Sequence, residues 1–216
     1  MTGRATTDHA ATGRGGAGRT LSVGVTGGIG SGKSAFVARL AEHDGVRVVY
    51  ADALAKRLME DDPAVRAALV ERFGPETYDG AGRLDRARLA SAVFGDADAL
   101  AALNAVVHPA VRRALLGALG AARDEGVPLF VYEAALIFET GGDAVLDRVV
   151  VVDAPVEARV ARVMARDGVD RAAVLARMAH QIDPAEARRR ADLVVENDGD
   201  LDALYAEADA LVRRWA

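Results

Sequence analysis

Short runs of β-branched and aliphatic residues alternate along the chain with longer, Ala-rich stretches of helical character. Five of the runs predict strands: Leu21–Val25, Val46–Tyr50, Leu129–Ala134, Arg148–Val152 and Asp192–Glu196. Each is apolar almost throughout, the pattern of strands buried on both faces of a parallel sheet. Strands alternating with helices predict an α/β fold, a parallel five-stranded sheet with flanking helices. The first strand runs into a Gly-rich turn, and the pattern then predicts a helix from Lys33 to about His43.

The segment between the second and third strands, residues 53–125, is far longer than a crossover requires. It contains a break at Phe73-Gly74-Pro75 and a turn over Asp79-Gly80-Ala81-Gly82. The excess predicts a helical insertion beside the carboxyl edge of the sheet, where ligands of open α/β folds bind. A second, smaller helical insertion is expected over residues 155–190. Residues 1–20, small and polar, are expected to form a disordered tail, which leaves a single domain over residues 21–216.

Composition narrows the chemistry. A chain of 216 residues with 51% hydrophobic content supports one substantial core. It contains no Cys, so disulfides, thiolate metal sites and cysteine nucleophiles are excluded, and a reducing cytoplasm is the expected setting. No apolar run reaches the length of a membrane span and the first residues lack the apolar core of a signal peptide, so no membrane association is expected. Net charge is −5 and the only concentrated basic run is Arg188-Arg189-Arg190, so no nucleic-acid partner is expected.

The segment Gly27-Gly28-Ile29-Gly30-Ser31-Gly32-Lys33-Ser34 has the spacing of a phosphate-binding loop, and it lies between a predicted strand and a predicted helix. Its glycines let backbone N–H groups turn inward around phosphates, and the helix N-terminus adds partial positive charge. In that reading Lys33 reaches the β and γ phosphates and the Ser34 hydroxyl binds Mg2+. A rival is open: Gly30-Ser31-Gly32-Lys33-Ser34-Ala35 also satisfies a dinucleotide-binding pattern, with Asp52 at the distance of a ribose-binding acid. That pattern leaves Lys33 and Ser34 unexplained. Asp52, at the end of the second strand, is either an acid that meets an attacking hydroxyl or the N-cap of a helix starting at Ala53. Arg159, Arg162 and Arg166 form either a charge-stabilising group over phosphates or a solvated helix face. His108 precedes Pro109, so it reads as a cap or kink residue at the start of a new helix, and the four histidines lack metal-ligand spacing. A nucleotide-switch protein is a third reading, but the third strand exits through Glu133-Ala134-Ala135-Leu136, which lacks the switch pattern.

The ordered series VTGGIGSGKS at Val25–Ser34, ADALAKRLM at Ala51–Met59, GRLDRARLASAVF at Gly82–Phe94, LNAVVHP at Leu103–Pro109, LIFETG at Leu136–Gly141, ARVMARDGV at Ala161–Val169 and VENDG at Val195–Gly199 resembles the dephospho-coenzyme A kinase family from about Leu21 onward. The resemblance implies a P-loop NTPase-type fold with an acceptor-binding helical insertion and a small helical lid. It also implies transfer of the γ-phosphoryl of ATP to the 3′-hydroxyl of dephospho-coenzyme A (dephospho-CoA), with Mg2+. Carried onto matching positions, it assigns ATP to Gly28, Ile29, Gly30, Ser31, Gly32, Lys33, Ser34, Arg162, Asn197 and Gly199, the last two bordering the adenine. It assigns the accepting hydroxyl to Asp52 as proposed base, the acceptor pocket to Arg86 and His108, and a water-mediated Mg2+ contact to Glu139. Two departures stand out: Tyr50 replaces the first acid of the family's Asp-Ala-Asp, and Ala135-Leu136-Ile137 replaces Pro-Leu-Leu. The lid is expected to move, its arginines drawn inward by phosphates.

Overall fold

The computed structural model describes residues 19–216, so the tail expectation falls outside the described residues up to position 18. Arg19 and Thr20 belong to the folded domain instead of the tail. The Arg19 guanidinium pairs with Asp147 at 2.7 Å, and the buried Thr20 hydroxyl donates to the Ala122 carbonyl at 3.4 Å.

In chain order the elements are β1 (Leu21–Thr26), α1 (Lys33–Leu40), β2 (Val46–Tyr50), α2 (Ala51–Asp61), α3 (Pro63–Phe73), α4 (Arg86–Val93), α5 (Ala97–Asp124), β3 (Leu129–Glu133), β4 (Arg148–Asp153), α6 (Val156–Asp167), α7 (Arg171–Met178), α8 (Pro184–Arg190), β5 (Leu193–Glu196) and α9 (Leu201–Trp215). The strands form one parallel sheet in the order β2-β3-β1-β4-β5. Side chains alternate across it. Val23, Val25, Leu129, Val131, Val150 and Val152 pack with α1 and α9, whereas Phe130, Tyr132, Val149 and Val151 pack with α5 and α8. Both faces are covered, which is why the strands read as continuous apolar runs.

The long insertion is α2 to α5, with a small core of its own built from Val65, Leu69 and Ala110. Gly74 ends α3 at φ 92°, where the sequence break is expected. Two boundaries differ from expectation. α2 starts at Ala51, so Asp52 lies within its first turn and caps nothing; Tyr50 precedes the helix without a side-chain cap. α5 runs through Pro109 without a new start at His108. Proline deprives the Ala105 carbonyl of its intrahelical donor at a cost of about 3 kcal/mol. Ala105 is exposed, so water can serve that carbonyl, and the buried stripe of Val107, Ala110, Leu115, Leu119 and Ala122 holds the helix together across it.

Candidate active site

The carboxyl ends of β1, β2 and β3 converge on one place. Val25 and Tyr50 are both in register with Glu133. From Thr26 the chain enters the glycine loop and turns into α1. Gly32 holds φ +95° at the α1 N-cap, in the left-handed region, and a Cβ there would collide with the Asn197 carboxamide. A Cβ on Gly28 would overlap the Arg159 guanidinium. Gly32 therefore has no room for a side chain, and one at Gly28 would displace the Arg159 guanidinium.

The loop opens on a cavity of about 690 Å³, lined also by Tyr50, Asp52, Glu133, Arg162, Arg166 and Gln181. Lys33 reaches across to touch Glu133, the last residue of β3. Burial pushes the Lys33 ammonium down to about 8, against the opposing pull of Asp52. The Ser31 hydroxyl is fully enclosed without any protein partner, a costly arrangement inside the loop.

The lid grips this loop. Ile29 packs against Val160, Val163 and Val174. Its N–H donates to Gln181 Oε1 at 2.8 Å, and its carbonyl accepts from Arg159 Nε at 3.0 Å. Arg162 donates to the Gly30 and Asn197 carbonyls at 3.3 and 3.4 Å, bringing its charge over the loop. Arg166 also lines the cavity, paired with Asp167 at 2.7 Å. Arg159 is buried beneath the loop, where desolvation lowers its pKa against the pull of Asp153.

A second cleft, about 530 Å³, lies between α2, α5 and the exit of β3. Asp52 and Ala135 line both this cleft and the loop cavity, so the two spaces meet at Asp52. His108 lines the cleft. Arg86 does not: its guanidinium pairs with Glu60 at 2.8 Å, outside both spaces.

Three further expected residues sit differently from their assigned roles. The Asn197 amide donates to the Ser31 carbonyl at 2.7 Å, which makes the side chain a brace behind the loop. Gly199 lies in the exposed turn before α9, outside the loop cavity. Glu139 accepts from the Ile182 N–H at 3.0 Å and lines neither space, so its carboxylate is committed to the lid. The carboxylate beside Lys33 is Glu133, which sequence reading passed over. Its signal was available: an acid closing an otherwise apolar strand. Gln181 carried no comparable signal.

The sheet order also decides between the loop readings. A dinucleotide-binding sheet sets its second strand beside the first, so that the acid reaches the ribose. Here β3 lies between them. Among the described residues no helix is long and apolar enough to cross a membrane.

Known proteins point the same way. The family model for dephospho-CoA kinase matches residues 21–203. A dephospho-CoA kinase from Salinibacter ruber is 49% identical over 195 residues, covering 90% of this chain and 96% of its own. One from Deinococcus radiodurans is 44% identical, covering 89% and 91% respectively. The crystal structure of TT1252 from Thermus thermophilus matches with a TM-score of 0.75 at 43% identity, covering 92% of this chain and 99% of that one. The chain belongs to the dephospho-CoA kinase family, and ATP is its co-substrate.

Proposed function

We propose that the chain transfers the γ-phosphoryl group of ATP to the 3′-hydroxyl of dephospho-CoA, giving coenzyme A and ADP, the last step of coenzyme A synthesis. The observation that carries the residue-level reading is the position of Asp52, shared by the loop cavity and the acceptor cleft. A hydroxyl held in the cleft meets a phosphoryl group held by the loop beside that one carboxylate.

The roles follow from the chemistry of the transfer. Charge spreads over the oxygens of the transferring group, so positioning and neutralisation dominate. The loop N–H groups and Lys33 hold the phosphates, and Arg162 neutralises them from the lid. Asp52 orients the accepting hydroxyl and takes its proton. His108 and the apolar residues of α5 wall the acceptor.

Mg2+ fits the residues present. The exposed Ser34 hydroxyl has no protein partner, and Asp52 and Glu133 face the same cavity. The described residues hold no cluster of three acidic or histidine ligands, which suits an ion completed by phosphate oxygens and water. When bound, it would add positive charge on the phosphates. The proposed partners are thus small molecules, and the net charge of −5 argues against nucleic acid. A chain without Cys suits the cytoplasm.

The test is to incubate the protein with ATP, Mg2+ and dephospho-CoA and follow ADP together with product mass. A product one phosphate heavier, with the phosphate at the 3′ position, is expected. ADP without coenzyme A would overturn the acceptor assignment while keeping the loop.

A further inference from the structure

Tyr132 is the penultimate residue of β3 and points to the opposite face of the sheet from Glu133 and Lys33. Its ring packs with the cluster that includes Leu115 and Phe138, and only 6% of the residue is exposed. The hydroxyl forms no hydrogen bond within the protein, yet it is not among the fully enclosed polar atoms. Tyr132 lines the acceptor cleft, which Asp52 also lines, so the phenol opens there. An almost buried hydroxyl with no partner is destabilising unless a ligand completes it. Around these two polar groups the wall is apolar, formed by Ala51, Ala55, Ala134 and Leu136; the other polar side chains of the cleft come from α5 and from beyond β3.

Asp52 as a carboxylate only accepts, whereas the phenol can donate. Burial, with Asp52 nearby, holds the Tyr132 pKa up, so the phenol keeps its proton at any physiological pH. A carboxylate and a phenol on one wall complement two adjacent hydroxyls. The hydroxyl that reacts donates to the carboxylate, and its neighbour accepts from the phenol.

We infer that Tyr132 is a specificity-determining residue that hydrogen-bonds the vicinal, non-reacting hydroxyl of a ribose diol, selecting ribose over 2′-deoxyribose acceptors. This rests on the proposed function, in which the accepting group is a ribose 3′-hydroxyl. It adds a contact to the neighbouring 2′-hydroxyl and a substrate preference.

The experiment compares dephospho-CoA with its 2′-deoxyribose analogue, using the parent and Tyr132→Phe. Turnover of dephospho-CoA by the parent first secures the underlying reading, so its failure would be recognised separately. The parent is then expected to favour the ribose acceptor by about 3- to 10-fold in kcat/KM, the worth of one neutral hydrogen bond. Tyr132→Phe should lose that factor on dephospho-CoA, keep the parent's value on the deoxy analogue and leave the KM for ATP unchanged. Equal losses on both acceptors would overturn the contact and leave Tyr132 a packing residue. A parent indifferent to the 2′-hydroxyl would overturn it without any variant, so the test stands even if Tyr132→Phe folds poorly.

Discussion

Asn197 offers a sharp test of how the phosphate loop is held. Its amide donates to the Ser31 carbonyl at 2.7 Å from a side chain that is 6% exposed, and it sits where a Cβ on Gly32 would go. Asn197→Ala deletes the donor and leaves a loop carbonyl unpaired, at about 1–3 kcal/mol. Asn197→Asp keeps the shape but, once ionised, turns an acceptor toward an acceptor and buries a charge, so it should cost more than the alanine change. Burial raises the pKa of the introduced carboxyl above its unfolded value of about 3.9. The protonated form can still donate to Ser31, so stability is fully retained only below the unfolded pKa and is lost as pH rises from there through the raised one. Urea midpoints and the KM for ATP, measured at pH 5 and pH 8, provide the assay. The aspartate variant should lie nearer the parent at pH 5 than at pH 8 and fall below the alanine variant at pH 8, with KM for ATP rising in parallel. If it matches the parent at pH 8, the carboxamide does not brace the loop.

Lys33→Ala should lower kcat by about 10²- to 10³-fold, the worth of a preorganised charge on the transferring group. In the parent, kcat/KM for ATP should fall as pH rises through about 8, because the buried ammonium deprotonates there, and this limb should vanish in the alanine variant. Asp52→Asn should lower kcat while changing the KM for ATP little, since Asp52 lines the loop cavity but meets the acceptor side of the transfer; an unchanged kcat would remove it from the chemistry. Protease cleavage near Arg166 should be similar with and without ATP, because Ile29 and Gln181 tie the lid to the loop; strong protection by ATP alone would show that the lid swings.

The strands were legible because burial on both faces makes them continuous apolar runs, and β2 begins and ends where the sequence placed it. The loop was legible because its glycines, Lys33 and Ser34 follow one another within one short segment between a strand and a helix. Pro109 misled because local chemistry predicts a helix start, whereas the packed stripe from Val107 to Ala122 outweighs one missing hydrogen bond. Asp52 lies two positions past the cap, within the first turn, because α2 begins directly at the strand end. The contacts that sequence missed are long-range. Lys33 and Glu133 are 100 positions apart, Ile29 and Gln181 152, and Ser31 and Asn197 166. No local pattern encodes such distances, and only the order of the strands brings the partners together.

That order has a consequence for how ATP engages the lid. β1 supplies the loop, and its neighbour β4 leads directly into α6, so the lid's first helix starts beside the loop it serves. Ile29 then completes the lid's small apolar core, which ties the loop tip to α6 and α7. In this arrangement Arg162 is already over the loop, spending its donors on two carbonyls at 3.3 and 3.4 Å. Those bonds are long for N–H to O, whereas guanidinium to phosphate bonds are charge-assisted and shorter. In the proposed role Arg162 is recruited by an exchange of partners. The guanidinium trades two long carbonyl bonds for phosphate oxygens, and the contacts of Ile29 with α6, α7 and Gln181 hold the helix in place for that exchange, which is what preorganised charge stabilisation requires.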